Sequence, residues 1–124
     1  MTKARNLADL AVPITALSGV SINDGYTEEV YAVTGTTPAL SPTNGSIQTW
    51  TLSANSTPTA GTWADGQSLI LGVTASSYTV TWPSVTWSKV GGSGAAPTLT
   101  STGVNWVIFW KVGGTIRASF LGTA

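Results

Sequence analysis

The sequence predicts an all-β fold, an antiparallel β-sandwich of jelly-roll-like kind with a short N-terminal arm. Three observations predict it. After residue 12 no apolar run keeps the helical period. β-branched and aromatic residues instead gather in short runs bounded by Gly, Pro, Asn and Ser clusters. Finally, Val104–Val112 is an apolar run with Asn105 and Lys111 as its strongly polar residues, and Gly113-Gly114 follows it at once. At 124 residues the chain has the size of one domain, with residues 1–25 as the arm and residues 26–124 as the sandwich.

Taken in order, the arm opens with Thr2, placed to cap a short helix in which Ala4, Leu7, Ala8 and Ala11 fall near one face and Pro13 ends the run. So short a helix is marginal alone. The segment therefore reads either as a frayed terminus or as an arm that orders on a partner, with Lys3, Arg5, Leu7 and Leu10 as the candidate anchor. Residues 18–25, Ser-Gly-Val-Ser-Ile-Asn-Asp-Gly, read as a linker or turn. Strands are expected at 26–34, 46–53, 67–74, 77–82, 104–112 and 115–121, with a shorter one at 85–89. Within them Thr49 and Thr51 alternate with Trp50 and Leu52, and Tyr78, Val80 and Trp82 alternate with Thr79 and Thr81, the mark of half-buried strands. Pro83 ends the second of these or places it at an edge. Three stretches, 35–45, 54–66 and 90–103, have the composition of surface loops.

If Gly113-Gly114 is the whole turn of a hairpin, Val112 pairs with Thr115, Trp110 with Arg117, Ile108 with Ser119 and Val107 with Phe120. One face then carries Val107, Phe109, Ile116, Ala118 and Phe120, a core face. The other carries Trp106, Ile108, Trp110, Arg117, Ser119 and Leu121, too apolar for an ordinary solvated face. Two coverings are needed. The second is expected to be another copy of the chain, with Trp106, Ile108, Trp110 and Leu121 as the candidate subunit interface.

Composition excludes several classes of function. Charged residues are 8% of the chain, five basic against five acidic, so there is no basic stripe for nucleic acid. No apolar run has the length of a membrane span, and the N-terminus lacks a secretory signal pattern, so neither a membrane partner nor export of its own is expected. Without histidine or cysteine, the usual general base, the serine-activating partner and thiolate metal sites are missing. Asp24, Glu28, Glu29 and Asp65 are the carboxylates available for hydrolysis, and neighbouring Glu28 and Glu29 point to opposite faces of a strand. No enzyme activity and no cofactor are expected. Asp24-Gly25 and Asp65-Gly66 read as turns, with a calcium site as the alternative.

Six tryptophans remain to be placed. Trp50, Trp82, Trp87, Trp106 and Trp110 are expected in the core or at a subunit interface, because each indole buries a large area. Trp63, in Thr62-Trp63-Ala64-Asp65-Gly66, sits in a loop-like context. It is the indole expected to be exposed, and hence the candidate glycan contact.

Several of these stretches together resemble a known group. Asn44–Ser53 (NGSIQTWTLS), Asp65–Leu71 (DGQSLIL), Tyr78–Trp87 (YTVTWPSVTW), Ala96–Leu99 (APTL) and the closing hairpin resemble the C-terminal domain of tailed-bacteriophage tail-fibre and related small virion proteins. Thr2–Leu10 (TKARNLADL) is similar to short segments of phage structural proteins. The resemblance implies a homotrimer of β-rich subunits, which supplies the second covering. It also implies a virion location after synthesis in the host cytoplasm, with a phage coat or tail protein as partner. No heptad or repeat precedes the resembling region. The expectation is therefore a compact trimeric capsid decoration (cement) protein held by its arm. The alternatives are a short tail fibre or tail-tip protein that binds the host, and a carbohydrate-binding module for host-surface glycan.

Overall fold

The computed structural model describes residues 27–124. The expected arm, with Lys3, Arg5, Leu7 and Leu10, lies outside the described residues. Seven strands follow: β1 (Tyr31–Val33), β2 (Ile47–Thr51), β3 (Ser68–Thr74), β4 (Thr86–Lys89), β5 (Gly92–Ser93), β6 (Asn105–Val112) and β7 (Thr115–Thr123). One 3-10 turn, Pro42–Asn44, lies between β1 and β2, with Ser41 as its N-cap.

The described residues are all-β, and their strands make one sheet in the order β1-β2-β3-β6-β7-β4-β5. The expected antiparallel pattern holds for β3 with β6, β6 with β7 and β4 with β5. It does not hold for β1 with β2, β2 with β3 or β4 with β7, which run parallel. Parallel neighbours need a crossover of about a dozen residues or more. Residues 34–46 and 52–67 are those crossovers, which explains the length of the first two stretches read as surface loops.

These crossovers, together with residues 75–85 and 94–100, close the inner face of the sheet. Trp50, Leu69, Leu71, Val73, Val107, Phe109 and Ala118 point inward from β2, β3, β6 and β7, and Leu40, Leu52, Trp63 and Ala75 come down on them from the connections. Trp82, Trp87 and Phe109 form a triangle of tilted and edge-on rings with centroids 5.6 to 6.1 Å apart, a geometry that favours the ring quadrupoles.

Two buried polar side chains tie the ends of this layer. Asn105 donates to the carbonyls of Val73 and Thr100, and its Oδ1 accepts from the Thr100 amide and hydroxyl and from the Thr123 hydroxyl. Gln48 donates to the carbonyls of Ser41 and Gly45, holding the 3-10 turn against β2. Both side chains are fully buried, where an unpaired polar group is costly; Asn105 is paired at both amide atoms, whereas Gln48 Oε1 has no partner among the described residues.

Three expected elements come out differently. Of the expected strand at 26–34, the described part, 27–34, is strand at Tyr31–Val33 alone. Ser77–Trp82 is not a strand, because Val80 has only a single bridge to Ser56 in a connection and no strand lies alongside. The stretch read as the loop 90–103 contains β5.

Candidate functional site

The outer face of the same sheet is where a function has to be sought. From β3 it presents Ile70 and Gly72, from β6 Trp106, Ile108 and Trp110, and from β7 Arg117, Ser119 and Leu121. Alternation along each strand puts these residues opposite the core set, so a buried inner face fixes the outer one. The hairpin register is as the two glycines predict: Val112 faces Thr115, Trp110 faces Arg117, Ile108 faces Ser119 and Val107 faces Phe120. Gly113 and Gly114 have φ of 58° and 75°, the left-handed pair of a two-residue hairpin turn. A bulge between Trp106 and Val107 then brings Trp106 opposite Gly122 and leaves Leu121 as the extra residue, 58% exposed.

Gly72 shapes the centre of this face. A Cβ built there would lie 2.8 Å from two ring atoms of Trp106 and 3.0 Å from Val104 Cγ1. The Trp106 indole therefore lies across the bare backbone of β3 instead of standing away from the sheet, an aromatic covering a strand glycine. Beside it a shallow depression of about 380 Å³ is lined by Ile70, Trp106, Leu121, Gly122, Thr123 and Ala124. Arg117 is the charged residue on this face among the described residues.

Trp106, Ile108, Trp110 and Leu121 are thus gathered on one surface, with Ile70 added from β3. Sequence reading missed Ile70 and Gly72. The run Leu69-Ile70-Leu71 is apolar throughout, and its register against β6 decides that Ile70 faces out.

Trp63 is the correction. Expected on the surface as a glycan contact, it is buried, and its Nε1 donates to the carbonyls of Leu40 and Ala60 at 2.9 and 2.6 Å. The segment around it is stapled to the hairpin. Lys111 Nζ donates to the Trp63 carbonyl at 2.9 Å, and the Gly114 amide donates to the Asp65 carboxylate. Asp65 thus has a structural partner, and the described residues contain no cluster of three or more carboxylates that would hold a metal ion. A ring held edge-in by two carbonyls presents no face for a sugar.

A second depression, about 140 Å³, lies between Tyr78–Val80 and Pro97–Leu99. It contains no charged side chain. Among the described residues no helix is long and apolar enough to cross a membrane. Comparison with protein-family models, with curated proteins and with solved structures finds no match in any of the three.

Proposed function

We propose that this chain is a bacteriophage virion structural protein without catalytic activity, a homotrimeric capsid decoration protein anchored by residues 1–25. The observation that carries the reading is the outer sheet face. Ile70 and Leu121 are exposed and Trp106, Ile108 and Trp110 only partly covered among the described residues, on a protein with few charges to keep it apart from its copies. In the trimer these faces turn toward one another. The layered, sandwich-like packing is then completed between copies, with one sheet from each.

The arm, through Lys3, Arg5, Leu7 and Leu10, docks on the coat protein. Binding that favours only the assembled shell stabilises the shell by linkage. The likeness of residues 44–122 to fibre domains supports the neighbouring reading, a short tail fibre or tail-tip protein that meets the host. Burial of Trp63 removes the residue on which a carbohydrate-binding module was to rest.

Quantitative mass spectrometry of purified particles tests the location. A copy number comparable to the major coat protein is the result expected for decoration. A number far below it assigns the chain to the tail, and absence from particles overturns the virion reading.

A further inference from the structure

The two edges of the sheet are unlike, and the difference is complementary. β1 forms one edge and is preceded by Glu28 and Glu29. Its exposed large apolar residues are Val30 and Tyr31. Near the other edge, β4 pairs with β7 at Arg117 and Ala118 only. From Ser119 to Thr123, β7 therefore has no strand on that side among the described residues, and Phe120 and Leu121 are exposed there. Phe120 points to the core face, yet it stays 37% exposed.

The charges divide in the same way. Of the six described charged residues, Glu28 and Glu29 lie at the β1 edge, while Arg117 lies in the short β4–β7 pairing and Lys89 at the end of β4 beyond it. The remaining two, Asp65 and Lys111, are engaged with Gly114 and Trp63. Glu28 is itself bonded to the Ser46 hydroxyl, which leaves exposed Glu29 as the outward acid.

An unpaired strand edge is a template for another strand. β1 and β7 run in the same sense, since each is linked through parallel pairs and through the two reversals at β6. A neighbouring copy's β1 laid on β7 in that sense brings the neighbour's acids to Arg117 and Lys89. It also brings the neighbour's Val30 and Tyr31 to Phe120 and Leu121.

From these two edges we infer that the copies join head to tail, the β1 edge of one pairing with the free β7 edge of the next. Such a heterologous contact closes into a ring when the rotation from copy to copy closes; in the trimer proposed above it closes at three, with the outer faces turned inward. The inference rests on the self-assembly proposed above and adds to it which strands meet.

The chain has no cysteine, so introduced thiols report without background. Ala32→Cys on β1 and Leu121→Cys on β7 are both exposed sites. Full-length chain carrying both, treated with a short bismaleimide, is expected to run as a covalent trimer, whereas either single variant stays a monomer on the gel. Mixing the two single variants is expected to yield a covalent dimer. In parallel, Glu29→Lys or Arg117→Glu alone is expected to weaken association at least about tenfold, and the two in one chain to restore it. If the protein assembles but the double-cysteine chain does not cross-link, or if Leu121→Cys alone cross-links to itself, the head-to-tail contact is wrong while self-assembly stands. A wild-type protein that remains monomeric overturns both.

Discussion

Along β6 the two faces alternate residue by residue. Val107 and Phe109 are 0% and 2% exposed, while Trp106, Ile108 and Trp110 beside them are only partly covered. The composition of the two sets is similar; what differs is the lid. The inner set lies under crossovers that parallel pairing of β1, β2 and β3 forces the chain to make. The outer set has no connection above it among the described residues. Hydrophobicity therefore marks both faces as needing cover, and topology decides which one the chain covers itself.

Substitutions on the inner face should show the largest loss of stability. Phe109→Ala removes the ring that meets Trp82 and Trp87 and should cost about 3–5 kcal/mol in urea unfolding. Asn105→Ala unpairs groups on Thr100, Thr123 and Val73 at the end of the sheet. Its expected cost is about 1–3 kcal/mol, with faster amide exchange concentrated around residues 98–104. Should either change be neutral, the inner face would not be the chain's own core.

Gly72→Ala acts on the outer face through one atom. Its Cβ drives the Trp106 ring off the strand, at an expected cost of about 1–3 kcal/mol. A change in indole fluorescence that is absent from a Gly72→Ala, Trp106→Thr double variant would assign the effect to that ring. The smallest effect on folding is expected on the outer face. Ile108→Thr with Trp110→Thr keeps β-branched residues in β6 and should shift the unfolding free energy of the single chain by less than about 1 kcal/mol.

Which parts of this arrangement were legible in the sequence follows from the range of the interactions. The β6–β7 register was readable from Val112–Thr115 back to Val107–Phe120 because Gly113-Gly114 is a local device that sets those pairs, whereas the bulge beyond Val107 left no local mark. The two-sided apolarity of residues 104–112 was readable without any register at all. Trp63 was not, since its neighbours Thr62 and Ala64-Asp65-Gly66 have turn composition and one of its partners, the Leu40 carbonyl, lies 23 residues away. Tyr78, Val80 and Trp82 alternate as a strand does, but alternation reports a half-buried surface and cannot supply a pairing partner. The parallel crossovers were hidden for a similar reason. A glycine- and proline-rich segment of that length reads the same whether it hangs in water or lies over a core.

The central claim is that the outer face is built for other copies of this chain. Sedimentation equilibrium of the full-length protein, beside the Ile108→Thr, Trp110→Thr variant, tests it most directly. The account predicts a trimer for the wild type and a monomer for the variant, with unfolding of the single chain nearly unchanged. A wild-type protein that stays monomeric as its concentration is raised, or a variant that assembles as well as the wild type, would contradict it.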